Sequence, residues 1–367
     1  MSYIYSEVIA GIGFITLNRP KALNALSLEM VRDLYTALTD WRDNPDIEAV
    51  AIRGSNKEGP FGAFCAGGDI RFFHTAGIAE DEALEQFFTE EYRLNHLIFT
   101  YPKPYIAFMD GIVMGGGMGI SQGASLRIVT ERSKLAMPET NIGLFPDVGG
   151  GYFLSRCPGA MGEYLGLTGQ LMLGADAIAV GLADKLADSA SITALWGILA
   201  NESGIGVTER LNVLESHLAV STPINHQPTW MDSAIDNCFS KGTVSAIVEA
   251  LSEQESAWAT SCIETLRQRS PLMLHVVLEQ IRRGRQMDLA DDLRMERDLV
   301  RHCFYTEHLG RSGVTSETVE GIRALAVDKD HSPQWNPARI EQVNKAMVEP
   351  FFVSPWPSEE HPLADLD

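Results

Sequence analysis

The chain of 367 residues carries 49 acidic against 29 basic side chains, a formal net charge of −20, and is 45% hydrophobic. That apolar content supports a substantial core in one large domain or two. So negative a chain, with no run of Lys and Arg, repels nucleic acid and anionic membrane surfaces and argues against either as a partner. The five cysteines, Cys65, Cys157, Cys238, Cys262 and Cys303, are odd in number and show no CxxC spacing. This speaks against a disulfide framework and a zinc site, and for a reducing cytoplasm. The first residues, MSYIYSEVIAGIGFITLNRP, lack a basic stretch followed by a long apolar run, and no apolar segment long enough to span a bilayer occurs. Neither export, organelle import nor membrane insertion is expected.

In chain order, SEVIAGIGFITLNRP reads as two short strands turned at Gly11, and EAVAIRGS from Glu48 as a third. Between them SLEMVRDLYTALTDWRDNPD carries an apolar stripe at helical spacing behind Ser27, with Glu29 early in the helix. ALEQFFTEEYRLNHLIFTYPKP reads as an amphipathic helix ended by Pro102, and PYIAFMDGIVMGGGMGISQGAS as a buried strand, a turn and a Gly-rich helix start. RIVT and KLAMPE follow as short strands. After Asp184 helical periodicity dominates, which places a soft boundary near residue 190, between a segment 1–190 and a mainly helical region 191–367. The stretch STPINHQPTWMDSAIDNCFSKGT from Ser221 has the composition of a loop leading into a helix, and a strongly helical stretch runs from Pro271. The Pro-rich tail ending in SPWPSEEHPLADLD is expected to be poorly ordered. No repeat at a fixed period is present.

Two Gly-rich stretches, CAGGDI (Cys65 to Ile70) and MGGGMG (Met114 to Gly119), each follow an apolar run and precede a polar or helical segment. Glycine lets backbone N–H groups approach a ligand closely, so each stretch is suited to presenting one donor to a carbonyl oxygen. Taken alone, a GGG run is more simply a tight turn or close helix packing; the two together favour an oxyanion site. No phosphate loop of the GxxxxGK[ST] type, no GxSxG elbow, no HExxH or HxxxH pair and no dinucleotide fingerprint is present. No metal, redox or nicotinamide cofactor is therefore implied.

These glycine stretches, with LNRPKALNALSLEM, YPKPYIAFMDGIVMGGGMGIS, KLAMPETNIGLFPDVGGGYFLSR and LTGQLMLGADAIAVGLAD, resemble the crotonase, or enoyl-CoA hydratase/isomerase, superfamily in order and spacing across residues 12–184. Glu90 to Tyr92, the block AMPET…GLFPDVGGGYFL and the stretch DKDHSPQWNPARIEQV resemble a hydrolase subgroup within it. The resemblance implies an α/β fold: a crotonase-like spiral of ββα units, followed by a helical C-terminal region that covers the site or mediates assembly. It implies cleavage of 3-hydroxyisobutyryl-CoA to 3-hydroxyisobutyrate and CoA, a step of valine breakdown, with 3-hydroxypropionyl-CoA as a possible second substrate. No cofactor is called for, since coenzyme A is part of the substrate, and a homo-oligomer is the expected assembly.

Carried over residue by residue, the resemblance makes the N–H groups of Gly68 and Gly116 the oxyanion donors. Hydratases of the superfamily place a glutamate three residues beyond the second of these, where this chain has Gly119, and a second in the PE motif, here Glu139. Position 147, usually Gly in hydratases, is Asp147, as in the hydrolase subgroup. Glu139 and Asp147 are thus the expected catalytic pair. Glu139 acts as nucleophile or general base, Asp147 positions the 3-hydroxyl or the water, and Glu91 lines the acyl pocket. Backbone groups near Ala66, Asp69 and Ile70 are expected to hold the adenine, and Lys21 and Lys329 the CoA chain and its nucleotide end. Plainer readings stand beside these: Asp147 as a satisfied turn residue after Pro146, Glu139 as a helix-cap neighbour or an ion pair with Arg156, Glu91 on a solvated helix face. Rival functions are an enoyl-CoA hydratase/isomerase working with one glutamate and a non-catalytic RNA- or protein-binding member of the fold.

Overall fold

The structure, a computed structural model, describes residues 2–201, 204–221 and 226–367. Its strands are β1 (Ile4–Ile9), β2 (Ile12–Leu17), β3 (Ala49–Gly54), β4 (Tyr105–Met109), β5 (Ile112–Met114), β6 (Leu126–Thr130), β7 (Lys134–Ala136), β8 (Met172–Leu173) and β9 (Lys185–Ala187). The helices up to the last strand are α1 (Leu28–Arg42), α2 (Ile70–Ala79), α3 (Glu82–Phe99), α4 (Gly116–Gln122), α5 (Gly150–Leu154), α6 (Met161–Thr168) and α7 (Gly174–Ala179). Beyond it come α8 (Ile192–Leu199), α9 (Val207–Ser221), α10 (Ile235–Phe239), α11 (Val244–Ser252), α12 (Ala257–Gln268), α13 (Pro271–Gly284), α14 (Leu289–Phe304), α15 (Glu317–Ile322) and α16 (Lys345–Val348).

The chain forms two compact units, one of residues 1–68, 94–136 and 171–228, the other of residues 69–93, 137–170 and 229–367. A single cut near residue 190 does not describe this division. The helices that follow Gly68 and Ala136 pack on C-terminal helices, α2 on α15 and both α5 and α6 on α13, so the chain crosses between units before it reaches its helical end.

The first unit is built on a six-stranded sheet in the order β1-β2-β3-β4-β6-β9, parallel except for the β1–β2 hairpin. The hairpin turns through Ala10 (φ 48°) and Gly11 (φ 80°), two left-handed residues whose twist matches that of the strands they join. Helix α1 is capped by the Ser27 side chain, which accepts the Met30 N–H at 3.3 Å, and buries Met30, Val31, Leu34, Leu38 and Trp41. On the sheet, Phe14, Phe61 and Phe108 meet Trp196 of α8 with ring centroids 4.9 to 5.9 Å apart. Beside the main sheet β5, β7 and β8 form a small second one. The segment read as one strand and a turn is therefore two strands in two sheets, broken at Gly111 (φ 84°). The runs β4–β5–α4 and β6–β7–turn–α5 give the strand–strand–helix repeat expected from the sequence. KLAMPE is a strand only as far as Ala136, since Pro138 cannot donate to a ladder and Glu139–Ile142 turns as a 3₁₀ segment.

The second unit is helical, around α13 and α14, whose buried faces supply much of its core. Residues 222–225 of the expected loop after Ser221 lie outside the described residues; the helix it leads into is α10. The tail is not loose: Leu363 is fully buried, Asp365 pairs with Arg93 at 2.6 Å, and Arg294 donates to the carbonyls of Leu363 and Leu366. Its scattered apolar residues pack around short turns such as the 3₁₀ segment Ser358–Glu360.

Candidate active site

In the first unit the two Gly-rich stretches lie side by side. The Cys65 N–H donates to Ile112 O at 2.9 Å and the Met114 N–H to Cys65 O at 3.0 Å. A Cβ on Gly117 would sit 2.3 Å from Cys65 O, and one on Gly67 would lie 3.7 Å from the Gly116 nitrogen. Only glycine at 117 permits so close an approach. Gly67 O accepts the Leu26 N–H, and the Ala66 N–H is committed to Leu23 O at 3.0 Å. Gly116 is the first residue of α4, where a helical N–H has no intrahelical acceptor. Among the described residues neither the Gly68 nor the Gly116 N–H has a backbone acceptor. Lys21, in the 3₁₀ turn Pro20–Ala22, is exposed. Gly119 stands buried in α4.

In the second unit Asp69 is the cap of α2, its Oδ1 accepting the Phe72 N–H at 3.4 Å, and Ile70 is the first helical residue. Lys329 is exposed in a left-handed turn (φ 59°). The carboxylates are different. Glu91, Glu139 and Asp147 are all buried, at 2%, 7% and 6% exposure, and Glu91 and Glu139 both feel the charge of Asp147. They come from α3, from the 3₁₀ turn Glu139–Ile142, and from the loop before α5. The aromatic packing around α3 makes the surroundings apolar: Phe88 meets Phe73 at 4.9 Å, Phe304 at 5.8 Å and Tyr92 at 6.1 Å between centroids. Burial, and then repulsion from Asp147, pushes the Glu91 and Glu139 carboxyls well above the usual carboxylate range. Asp147 is raised to about 7 by burial, opposed by a hydrogen bond from the Tyr92 hydroxyl to its Oδ2 at 3.0 Å. All three carboxyls thus titrate above the ordinary carboxylate range.

Two carboxylate oxygens, Glu91 Oε1 and Glu139 Oε2, have no hydrogen-bond partner among the described residues. Of the plainer readings, the ion pair with Arg156 and the solvated face of Glu91 do not hold, whereas Glu139 does stand next to a helix cap, Pro138, at the start of its 3₁₀ turn. Arg156 is no partner of Glu139: it donates to the carbonyls of Tyr152, Gly284 and Met287 and lies over the Tyr152 ring, 3.4 Å from its centroid. Glu91 is not on a solvated face. Its apolar neighbours in sequence, Phe87, Phe88 and Leu94, turn that stripe of α3 inward. Asp147 accepts from the Tyr92 hydroxyl as well as from its own backbone N–H, so its carboxyl serves more than its own turn.

The segment that bears Glu139 is pinned from three sides. Asn141 Oδ1 accepts from Arg269 at 2.7 Å, Thr140 O from the Ser270 N–H at 3.2 Å, and Gly143 O from Thr318 Oγ1 at 2.6 Å. Val148, next to Asp147, sits at φ 56°, a left-handed conformation that costs a β-branched residue on the order of 1–3 kcal/mol and persists only where the surroundings impose it. Sequence reasoning missed Tyr92 as a partner of Asp147, and Gln280, Asp292 and Glu296 beneath this loop. A signal existed for the last two: they lie four apart on the stripe of α14 that carries Leu289, Leu293 and Val300, where a solvated acid has no place.

Such a cluster of buried carboxyls, one ionising near neutrality, is equipped to take up and return protons at pH 7. The model of the enoyl-CoA hydratase/isomerase family matches residues 12–352, and the chain belongs to that family. Its curated relatives include the mitochondrial 3-hydroxyisobutyryl-CoA hydrolase of Danio rerio, 40% identical over 96% of this chain and 90% of the relative. The human enzyme of that name is 37% identical over 93% and 86%, and 3-hydroxyisobutyryl-CoA hydrolase 1 of Arabidopsis thaliana 36% over 96% and 91%. Among solved structures, a carnitinyl-CoA dehydratase from Mycobacterium thermoresistibile superposes with a TM-score of 0.86 at 34% identity over all of both chains. An enoyl-CoA hydratase from Rhodobacter sphaeroides does so at 0.81, also 34% identical, over 96% of this chain and 98% of that one. The fold is the crotonase fold.

Proposed function

We propose that the protein hydrolyses the thioester of 3-hydroxyisobutyryl-CoA, releasing 3-hydroxyisobutyrate and CoA in valine breakdown, and accepts 3-hydroxypropionyl-CoA as a second substrate. The relatives named for this reaction, at 36–40% identity over nearly the whole chain, support the reaction class. The observation that carries the reading is the retention of Glu139 with a buried Asp147 beside it and Gly119 in place of the hydratase's first glutamate. A hydratase needs two carboxylates to hold water against a double bond, and that pair is broken here.

In this reading the N–H groups of Gly68 and Gly116 take the charge that develops on the thioester oxygen, a role worth about 3–4 kcal/mol per donor in comparable sites. Glu139 supplies the attack, either as the nucleophile that forms a mixed anhydride or as the base that takes a proton from water. The tetrahedral intermediate expels the CoA sulfur, which takes a proton to leave as the thiol; on the nucleophile route water then cleaves the anhydride, releasing 3-hydroxyisobutyrate and freeing Glu139. Asp147 accepts from the substrate 3-hydroxyl or the attacking water, with Tyr92 holding its other side. Glu91 lines the acyl pocket, backbone groups near Ala66, Asp69 and Ile70 meet the adenine, and Lys21 and Lys329 meet the CoA chain and its nucleotide end. Carboxylates and amide donors suffice for this chemistry, so no metal or redox cofactor is called for. A reducing compartment, the cytoplasm, is the location favoured, on five buried cysteines that form no disulfide. The acyl-CoA and, as the resemblance implies, a second copy of the chain are its partners, and nucleic acid is not.

Thiol release from 3-hydroxyisobutyryl-CoA, measured beside hydration of crotonyl-CoA, tests the reading. Wild-type protein releases thiol, Asp147→Gly loses the activity by at least about a hundredfold, and neither hydrates crotonyl-CoA. The two superposed structures, a dehydratase and a hydratase, make hydration the rival; crotonyl-CoA hydration without thiol release would overturn the hydrolase reading.

A further inference from the structure

Nothing in that reading uses Gln280 of α13 or Glu296 of α14, polar side chains with no accessible surface. Glu296 Oε2 accepts the Gly149 N–H at 2.7 Å, and its Oε1 accepts the Gly151 N–H at 2.9 Å and Gln280 Nε2 at 3.0 Å. Gln280 Nε2 also donates to the Pro146 carbonyl at 2.6 Å. These bonds grip the chain one residue before Asp147 and two residues after it. Between the grips lies Val148 at φ 56°, a conformation the loop would leave if released. Asp292, one turn earlier on α14, adds a third hold by accepting the Tyr152 N–H at 3.0 Å.

We propose that Glu296 and Gln280 are positioning residues that straddle Asp147 and fix its carboxyl in its reactive place, an inference that rests on the hydrolase reading. A carboxylate is the suitable group at 296. It offers acceptors on both oxygens, whereas an amide offers one, so Glu296→Gln leaves one of the two glycine N–H groups without a partner. The fold around it can stay intact, because the helices are held by their apolar faces. What changes is the aim of Asp147, and small misplacements of a reacting group cost rate far more than binding.

The test is steady-state thiol release from 3-hydroxyisobutyryl-CoA by wild type, Glu296→Gln and Gln280→Met, with thermal melting of each. Gln280→Met keeps the side-chain length while deleting both donated bonds, and so serves if Glu296→Gln does not fold. Expected is a fall in kcat of about 10- to 100-fold with KM changed less than about threefold, in variants that still melt cooperatively. A merely structural role lowers the folded fraction and the melting temperature but leaves kcat per folded molecule unchanged. Folded variants with wild-type kcat would overturn the brace while the hydrolase reading stands. Wild-type protein that releases no thiol overturns the hydrolase reading itself, and the catalytic role of the brace with it.

Discussion

Tyr92 donates its hydroxyl to Asp147 Oδ2 at 3.0 Å, and that bond opposes the burial that lifts Asp147 to about 7. Removing it in Tyr92→Phe raises the Asp147 carboxyl further, so the ionised form appears only at higher pH. If Asp147 works as an acceptor of protons, the acid limb of the kcat–pH profile moves to higher pH in the variant, and activity lost near pH 7 returns above it. A profile that keeps its acid limb in place would separate Asp147 ionisation from catalysis. At this scale the sequence was legible where chemistry and setting are neighbours in the chain: Glu139 and Asp147 stand out because Pro, Gly and large apolar residues surround both. Tyr92 was not legible as a partner, because 55 positions separate it from the aspartate it serves and no spacing rule spans such a gap.

Helices and strands were read well where one face is apolar. The stripe of α1, the Ser27 cap and the end of α3 ahead of Pro102 follow from local rules and appear at the expected places. The tail was misread, because Pro-rich sequence is a sign of disorder only when nothing receives its apolar residues. Leu363 is fully buried. Leu363→Ala is therefore expected to lower unfolding stability by about 2–5 kcal/mol, measured as a shift in the urea midpoint at unchanged slope. A truly disordered tail would show no shift. The acids of α14 make the complementary point. Their place on the apolar stripe marks Asp292 and Glu296 as buried, but the loop N–H groups they accept become known only once that loop is placed against them.

Across the whole molecule, buried acids with raised values dominate the proton balance. Asp147, Asp292 and Glu317 are each lifted by burial to about 7, and Glu91, Glu139 and Glu296 are pushed upward as well. Unfolded, such groups titrate near about 4, so the folded chain holds more protons between those limits. Their contribution to stability is fully present below the unfolded value and is lost as pH rises through about 7. Paired surface acids such as Asp365 and Glu320 are shifted the other way and weaken the fold only on strong acidification. The ligand-free protein is expected to melt at a higher temperature near pH 6 than near pH 8. Asp147→Asn should shrink that difference, and an unchanged difference would remove Asp147 from the balance. The sequence by itself showed the glycine loops and the two acids, Glu139 and Asp147, set among Pro, Gly and apolar residues, because each is a matter of residue type at short spacing, and its motifs carried the family resemblance that implied the class of fold. Only the tertiary structure decided that Tyr92 bonds Asp147 and that Gln280 and Glu296 bond the chain on either side of it, that Arg156 does not pair with Glu139, and that the chain passes between its two units before residue 190. Those are contacts between residues far apart in the chain, and burial, which sets their energies, exists only once the helices have packed.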